Sequence, residues 1–430
     1  MARTRIVATL GPATASDDAV GALIDAGVNV VRLNFSHGTR QAHGETIARV
    51  RRVAAGRPVA ILQDLAGPKL RISHPVRGVP GDVVELDLPP SVRPGDPVLL
   101  ADGVMQLEVL DGRRCRVIVG GDIPAGKGMN LPSSRLDLPS LTAKDREDLR
   151  FGVEAGVDFV SLSFVRRATD LEEPRASGLP VIAKIETAEA VERMDELAAA
   201  ADGIMIARGD LGVEVPIERV PIVQKQLIAL GNRAGKPVIT ATQMLRSMVD
   251  SLVPTRAEAT DVANAVLDGT DAVMLSEETA IGRHPAEAVR MMERILAQAE
   301  SVLVLPRNPE TDAVVAHVIA QTAVDLARRL QAHAIVVPTR SGFTARQVAR
   351  HRPAVPIVAL TPSEVVRRQL SLVWGVTCLL VPWQTEADAV LARFREPLRA
   401  SGLVPVGATV VLTAGWPQAH STNLVHATAL

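Results

Sequence analysis

Tyrosine is absent from this sequence, and aromatic residues make up only 2% of its 430 residues. Its two cysteines, Cys115 and Cys378, lie far apart without metal-like spacing, so a reducing cytoplasm is the expected location. No apolar run approaches the roughly 18 residues that a membrane span needs. A strand-like segment at residues 4–10 leaves no room for a signal peptide. The net charge of −1 argues against nucleic acid and anionic membranes as partners.

Lysine is also scarce, because only six of the 47 basic residues are lysines and the other 41 are arginines. A chain that uses arginine almost everywhere is expected to keep some lysines where a compact ammonium is needed. One of them, Lys184, lies two residues before Glu186 in the apolar, β-branched segment "VIAKIETAEAV" (181–191). A cation and an anion in such a segment call for a chemical reason.

Strand-like runs alternate with helical runs over the first 300 residues. Most of the strands precede ten or more residues of helical periodicity, such as "DDAVGALIDAG" (17–27). Eight such units predict a (β/α)8 TIM barrel of parallel strands inside a ring of helices. The predicted strands are "RIVATL", "NVVRLNF", "PVAILQDL", "DFVSLSF", "PVIAKIE", "GIMIAR", "PVITAT" and "AVMLS".

Two further modules interrupt or follow this pattern. Residues 70–136 contain two Pro-Gly-Asp turns and alternating β-type runs but no helical pattern, which predicts a small all-β lid inserted into the barrel. Residues 306–430 contain four more strands separated by helices, which predicts a C-terminal open α/β domain. The barrel itself is then expected over residues 1–69 and 137–305.

Polar residues follow several predicted barrel strands, at the end where such barrels place their active sites. Lys184 and Glu186 are two apart in one strand, so both point into the barrel mouth. Asp210 follows the adjacent strand, and with Glu186 it could supply two carboxylate oxygens to one Mg²⁺. A lysine beside this site suits the charge that builds on a transferring phosphoryl group or an enolate. Arg32 and Thr242 end two further strands at the same rim.

Plainer explanations of these residues stay open at this point. Lys184 and Glu186 could form a buried ion pair that only closes the barrel. The stretch "RGDLG" (208–212) could be an ordinary Gly-rich turn, although its backbone N–H groups could also hold a carboxylate. Convergence of several strand ends on one rim favours the catalytic interpretation.

Stretches that match the motifs of one enzyme family run in family order along nearly the whole chain. They are "RTRIVATLGPAT", "VVRLNFSHG", "ILQDLAGPKLRI", "KGMNLP", "FVSLSFVRR", "IAKIETAEAVERMDEL", "GIMIARGDLGVEVP", "NRAGKPVITATQML" and "PTRAEATDVANAVLDGTDAVMLSEETA". Through them the sequence resembles the pyruvate kinase family. The resemblance implies a barrel, an inserted β lid and a C-terminal regulatory domain, in agreement with the layout above.

The resemblance also implies a reaction, which is phosphoryl transfer from phosphoenolpyruvate to ADP and protonation of the enolate, giving pyruvate and ATP. Lys184 would neutralise charge on the phosphoryl group and the enolate oxygen, and Arg32 would contact the phosphoryl oxygens. Glu186 and Asp210 would hold Mg²⁺, with Mn²⁺ as an alternative ion. The resemblance also implies that the protein is a homotetramer and that it is located in the cytoplasm.

Further roles follow from the same motifs. The backbone of Gly209 and Asp210, with Thr242, would hold the substrate carboxylate, and Thr242 would also serve in the proton relay to the enolate. A solvated loop histidine remains the alternative for His37. The residues expected at the nucleotide are Arg71, Lys127, Asp102, Pro12 and His37.

The sequence departs from the family at its potassium site. Potassium-dependent members carry D-T-x-G-P-E, whereas this chain has "DLAGPK" (64–69), with Leu65 for Thr and Lys69 for Glu. The Lys69 ammonium could supply the positive charge itself and repel a second cation, so K⁺ is predicted not to be required. In the alternative, Lys69 points to solvent at the lid hinge. The positions that correspond to the K⁺ site are Asn34, Ser36, Asp64 and the carbonyl of Leu65.

The C-terminal domain offers a candidate effector site. "PTRSGFTARQ" (338–347) follows a predicted strand and opens a helix, so its hydroxyl and N–H groups could cradle a phosphate. Thr339, Ser341 and Thr344 are the candidates for binding a sugar phosphate or a nucleotide, and an ordinary strand–helix turn is the alternative.

Two other function classes are alternatives to the kinase. An Mg²⁺-dependent lyase or aldolase would use a similar carboxylate pair but would need neither the lid nor the C-terminal domain. A catalytically silent sugar-phosphate sensor predicts the loss of Lys184, Arg32 or the carboxylates, and all of them are present.

Overall fold

A computed structural model describes residues 2–132, 139–303, 314–382, 387–415 and 422–430. The domain limits predicted at 136/137 and 305/306 lie outside these residues. In chain order the strands are β1 (Arg5–Thr9), β2 (Val30–Asn34), β3 (Ala60–Asp64), β4 (Val76–Gly78), β5 (Val83–Glu85), β6 (Pro97–Leu100), β7 (Met105–Val109), β8 (Arg114–Val119), β9 (Gly121–Ile123), β10 (Met129–Asn130), β11 (Phe159–Leu162), β12 (Val181–Ile185), β13 (Gly203–Ala207), β14 (Val238–Ala241), β15 (Ala272–Leu275), β16 (Ala334–Pro338), β17 (Ile357–Thr361), β18 (Val376–Leu380), β19 (Thr409–Ala414) and β20 (Leu424–Ala429).

The helices surround the barrel and cover both faces of the C-terminal sheet. Among the described residues, none of them is long and apolar enough to cross a membrane. In chain order they are α1 (Asp17–Asp25), α2 (Arg40–Ala54), α3 (Ala143–Ala155), α4 (Glu172–Arg175), α5 (Ala188–Glu192), α6 (Met194–Ala200), α7 (Arg208–Glu214), α8 (Val220–Ala234), α9 (Arg256–Asp268), α10 (Glu277–Ala280), α11 (Pro285–Ser301), α12 (Val315–Arg329), α13 (Phe343–Ala349), α14 (Glu364–Gln369) and α15 (Ala387–Ala400).

Eight parallel strands close into a barrel in the order β1-β15-β14-β13-β12-β11-β3-β2. Each of the eight predicted strands contributes one of them, so the TIM-barrel prediction is confirmed. The central residues of these strands are buried on both faces, as expected where one face fills the barrel and the other packs on helices. Helix starts are marked by side-chain caps, as where Thr142 and Asp145 form a capping box at α3.

The inserted lid is all-β, as predicted. Its larger sheet has the strand order β10-β6-β7-β8-β5, and β4 pairs with β9 beside it. Both Pro-Gly-Asp turns are present, with positive φ at Gly81 (+97°) and Gly95 (+91°). In each turn the aspartate accepts a backbone N–H three residues earlier, Asp82 from Val79 and Asp96 from Arg93.

The C-terminal sheet has the order β18-β17-β16-β19-β20, with the first four strands parallel and β20 antiparallel to β19. The four parallel strands correspond to the four predicted ones. The edge strand β20 (Leu424–Ala429) was not predicted, because most of its residues are partly exposed and its sequence lacks the continuous apolar run of the others.

One C-terminal segment, residues 368–376, docks on the amino-terminal end of the barrel and is called the docking segment below. Its Leu372 is fully buried in the apolar cluster that fills the barrel interior, together with Ile182 and Met205. The Nε of Arg5, at the start of β1, donates to the carbonyl of Val373 at 2.9 Å. The C-terminal domain therefore closes the amino-terminal end of the barrel interior, which is called the barrel floor below.

Candidate active site

Lys184 lies near the carboxyl end of β12 with its ammonium in the barrel mouth. Its Nζ donates to Ser163 Oγ at 2.6 Å and lies 3.4 Å from both Asp64 Oδ1 and Glu186 Oε2. Burial alone would lower the pKa of Lys184, but the attraction of Asp64 and Glu186 outweighs it, so the pKa lies above its ordinary value. The lysine is therefore a fixed cation at neutral pH.

Glu186 is fully buried beside Lys184, and only one of its two carboxylate oxygens accepts a hydrogen bond. Its Oε1 accepts the backbone N–H of Phe164 at 2.6 Å, whereas Oε2 has no hydrogen-bond partner among the described residues. Burial and the nearby charge of Asp210 raise the pKa of Glu186 to about 7, although Lys184 opposes the shift. A buried carboxylate with a free oxygen suits a bound cation, so these residues fit a divalent metal.

Arg32 is held at the rim by Asp64, which is 1% exposed. The Nε and Nη2 of Arg32 donate to Asp64 Oδ2 at 2.8 and 2.6 Å, and Nη1 donates to Thr9 Oγ1 at 3.1 Å. Ser161 Oγ donates to Asp64 Oδ1 at 2.7 Å. Burial would raise the pKa of Asp64, but Lys184, Arg32 and these hydrogen bonds together hold it below its ordinary value.

Gly209 and Asp210 lie in the first turn of α7, so the Gly-rich turn expected at "RGDLG" is wrong and the stretch is helical. The helix ends at Glu214, and Pro216 directly after its C-cap prevents its continuation. Its first-turn N–H groups have no partner within the helix, so the geometry for holding a carboxylate is kept. Gly209 has no room for a side chain, since a Cβ there would lie 2.9 Å from Thr242 Cγ2.

Thr242 has a left-handed backbone, with φ of +74°, and Gln243 follows with φ of +56°. Such a conformation is strained for a β-branched residue, and strain of this kind is common at functional sites. Arg208 holds the segment in place, because its Nη2 donates to the carbonyl of Thr242 at 2.8 Å and its Nε to that of Ala241 at 3.2 Å.

Lys69 points inward from the lid hinge. Its Nζ donates to Asp210 Oδ1 at 2.7 Å and lies 4.0 Å from Asp102 Oδ1 on the lid. The solvent-directed alternative for Lys69 is therefore wrong, because its ammonium pairs with a carboxylate at the barrel mouth. No described contact joins Lys69 to the four positions that correspond to the K⁺ site.

Two protein-family models match this chain. A model described as "Pyruvate kinase, barrel domain" matches residues 1–86 and 82–289, and one described as "Pyruvate kinase, alpha/beta domain" matches residues 317–427. The chain belongs to the pyruvate kinase family. It is therefore a phosphotransferase, and the family's reaction is the glycolytic phosphoryl transfer.

Individual pyruvate kinases are similar over nearly the full chain. The enzyme of Geobacillus stearothermophilus is 44% identical over 466 aligned positions, which cover 98% of this chain and 79% of that one. The enzyme of Corynebacterium glutamicum is 41% identical, with 99% and 97% covered. A crystal structure of a pyruvate kinase from Cryptosporidium parvum superposes with a TM-score of 0.93 at 34% identity, covering 100% of this chain and 96% of that one.

The residues that pyruvate kinase motifs suggest for the nucleotide lie on separate loops. Arg71 sits at the lid hinge, where it pairs with Gly128 as an isolated antiparallel bridge and donates from Nη1 to the carbonyl of Gly126 at 2.9 Å. Lys127 lies between those two glycines, so the structure brings it close to Arg71. The other three are exposed on different loops, namely Asp102 on the lid, His37 after β2 and Pro12 after β1.

The four positions at the potassium site already have partners within the protein. Asn34 Oδ1 accepts the N–H of Ser36 at 3.1 Å, and the carbonyl of Leu65 accepts the hydroxyl of Ser163 at 2.7 Å. Asp64 is shared by Arg32, Ser161 and Lys184, as described above. Strand pairing sets Asn34 opposite Asp64, so these positions lie near one another at the carboxyl ends of β2 and β3.

In the candidate effector loop, the two threonine hydroxyls are engaged internally. Thr339 Oγ1 accepts the N–H of Gly342 at 2.9 Å, and Thr344 Oγ1 lies 2.6 Å from Thr422 Oγ1. Ser341 Oγ accepts the N–H of Phe343 at 3.4 Å, and the following helix α13 has only seven residues. Effector binding at these residues stays a prediction.

Two further residues of the matched motifs make contacts of their own. Glu277 pairs with Arg246 Nε at 2.6 Å in a half-exposed ion pair on the surface. Thr187 caps α5, accepting the N–H of Ala190 at 3.1 Å.

Sequence reasoning missed three residues that shape the site, Ser161, Ser163 and Phe164, and it placed Arg208 at a strand end without giving it a role. The two serines had a readable signal, because they alternate at the carboxyl end of β11, as Arg32 and Asn34 do at the end of β2. Phe164 acts through its backbone N–H, in a conformation with φ of +56°, which its side chain does not reveal. The described residues contain no group of three or more His, Cys, Asp or Glu that could hold a metal.

Proposed function

We propose that this chain transfers the phosphoryl group of phosphoenolpyruvate to ADP at the site around Lys184, giving pyruvate and ATP. The observation that carries the assignment of the site is the buried Glu186 Oε2, unpartnered by any described hydrogen bond and 3.4 Å from the Lys184 ammonium. Glu186 and Asp210 would hold Mg²⁺, or Mn²⁺ as an alternative. Once bound, that ion supplies positive charge to the transferring phosphoryl group and the enolate oxygen.

The chain's own residues divide the remaining work. The Lys184 ammonium, held charged by Asp64 and Glu186, neutralises charge as it develops on the phosphoryl group and the enolate. Arg32 needs no reorganisation at that moment, because Asp64 already fixes its guanidinium at the rim, where it contacts the phosphoryl oxygens. The first-turn N–H groups of Gly209 and Asp210 hold the substrate carboxylate beside Thr242, whose hydroxyl lies in the proton relay.

A lyase or a silent sensor explains the chain less well. The lid and the C-terminal domain are both present, and the carboxylates converge with Lys184, Arg32 and Thr242 on one rim. The finer properties are proposals of the same kind: a nucleotide near Arg71, Lys127 and Asp102, with Pro12 and His37 at the adenosine, no need for K⁺, a cytoplasmic location and a homotetramer. An effector at the 338–347 loop is tested by titrating sugar phosphates and AMP against the initial rate.

Replacing Lys184 by methionine tests the catalytic assignment. Lys184→Met removes charge stabilisation that matters chiefly in the transition state, so kcat should fall by orders of magnitude while Mn²⁺ and substrate affinities stay within about tenfold. Turnover is measured by coupling pyruvate to lactate dehydrogenase. Lys225→Met is the matched control, since Lys225 pairs with Asp268 away from the barrel mouth. Near-normal turnover of Lys184→Met would refute the assignment.

A further inference from the structure

Lys69 is placed between two carboxylates that belong to different domains. Asp210, on the barrel, accepts its hydrogen bond at 2.7 Å, while Asp102, on the lid, lies 4.0 Å away and is largely exposed. The Asp210 oxygen that Lys69 uses belongs to one of the two carboxylates expected at the metal. The Lys69 ammonium therefore contacts Asp210 on the barrel, and a small movement of its side chain would bring it into contact with Asp102 on the lid.

The lid is fitted closely around this lysine. A Cβ built on Gly128 would lie 2.8 Å from Lys69 Cε, so only glycine fits there without displacing the lysine stem. At the other end of α7, the lid residue Asn130 donates from Nδ2 to Glu214 Oε1 at 3.0 Å. The lid thus rests on the helix that carries Asp210, and Lys69 is part of that contact.

Among the ion pairs that Asp64, Glu186 and Asp210 form on the barrel, the formal charges balance only when Lys69 is counted. Without Lys69 the three carboxylates would exceed the cations by one, which favours a divalent ion. With Lys69 the formal charges cancel, and an arriving divalent ion meets an additional positive charge within a few ångströms. The groups concerned are Asp64, Glu186 and Asp210 against Arg32, Lys184 and Lys69.

We propose that Lys69 competes with the divalent cation for Asp210 and moves to Asp102 when the cation binds, so that metal binding ties the lid to the barrel. The inference rests on the proposed metal site at Glu186 and Asp210. Lys69 is then a positioning residue. It contacts Asp210 on the barrel when the metal is absent and Asp102 on the lid when the metal is bound. Asp102 is then the acceptor that makes the displacement of Lys69 less costly.

Direct binding of Mn²⁺ alone, followed by the electron paramagnetic resonance signal of the free ion, tests this. Lys69→Met removes the competitor and should tighten Mn²⁺ binding by about tenfold or more. Asp102→Asn removes the alternative acceptor, so Lys69 stays on Asp210 and Mn²⁺ should bind about threefold or more weakly. Lys225→Met, a lysine paired with an aspartate elsewhere, should bind as the wild type does. Thermal melts of each variant confirm folding, and Lys69→Gln repeats the test with a polar side chain.

Glu186→Gln separates this inference from the proposed function. It should weaken Mn²⁺ binding by about tenfold or more, because a metal ligand loses its charge. Unchanged binding in Glu186→Gln would refute the metal site itself. Loss of binding in that variant, together with unchanged or weaker binding in Lys69→Met, or unchanged or tighter binding in Asp102→Asn, would overturn the role of Lys69 alone.

Discussion

Lys69 shows how one substitution can redistribute charge at an active site. In potassium-dependent members, as the motif comparison implies, the corresponding glutamate adds negative charge that a monovalent cation can balance. Here an ammonium stands in that position and donates to Asp210 Oδ1 at 2.7 Å. The positive charge of Lys69 therefore lies on Asp210, and no described contact joins it to the four K⁺-site positions.

The charge of Lys69 leads to a prediction about potassium. Because the Lys69 ammonium supplies positive charge and repels a second cation, replacing K⁺ with a tetraalkylammonium salt at matched ionic strength should change kcat/KM by less than about tenfold. Lys69→Glu should make the enzyme depend on K⁺. A stronger activation of the unmodified enzyme by K⁺ would contradict the prediction, and Lys225→Glu controls for a change of charge elsewhere.

Among the elements, the docking segment (368–376) links the two large domains most directly. Leu372 enters the barrel interior, and Arg368 Nε and Gln369 Nε2 contact Asp158 just before β11, at 2.8 and 3.2 Å. Ile182, in the same apolar cluster as Leu372, lies two residues before Lys184 in β12. Packing at the floor of the barrel thus continues into the strand that carries the catalytic lysine.

Truncation of Leu372 is predicted to lower the stability of the protein. Leu372→Ala removes a fully buried side chain and should destabilise the protein by about 2–5 kcal/mol. Leu372→Met preserves volume and should cost less than about 1.5 kcal/mol. Urea denaturation followed by circular dichroism measures both. If Leu372→Ala unfolds with the wild-type midpoint, the segment does not fill the barrel floor as described.

At the scale of the whole molecule, a buried ion pair also joins the barrel to the C-terminal domain. Arg352 Nη1 donates to Asp271 Oδ1 at 2.8 Å, and the two side chains are only 4% and 5% exposed. Arg352 Nη2 also donates to Asn232 Oδ1 and to the carbonyl of Gly269, both at 2.7 Å. One guanidinium therefore joins the C-terminal domain to the last turn of α8 and to the loop between α9 and β15.

The prediction at this scale follows from the cost of an unpaired buried charge. Arg352→Met leaves Asp271 buried without its ion-pair partner and should destabilise the protein by about 3–5 kcal/mol. The double variant Arg352→Met with Asp271→Asn should lose less stability, because no buried charge is left unpaired. The exposed pair of Arg290 and Glu287 is the control, and Arg290→Met should cost under about 1 kcal/mol. Equal losses in the single and double variants, measured by urea denaturation, would contradict a coupled pair.

The amino-acid sequence alone determined the barrel, the β lid and the parallel strands of the C-terminal sheet. Local patterns carry that information, because buried β-branched runs, helical periodicity and Pro-Gly-Asp turns act within about 10–15 residues of chain. The same patterns placed Lys184, Glu186 and Asp210 at strand ends, since parallel strands of a barrel all end at one rim.

Only the tertiary structure decided which atoms meet at that rim. Lys69 and Asp210 are separated by 141 positions along the chain, and Arg352 and Asp271 by 81, so no local pattern reveals either contact. The helical form of residues 208–214 and the left-handed backbone of Thr242 likewise depend on neighbouring strands and on Arg208. Contacts of this kind form only when closure of the barrel and docking of the lid bring distant segments together, because their free energy comes from packing between those segments.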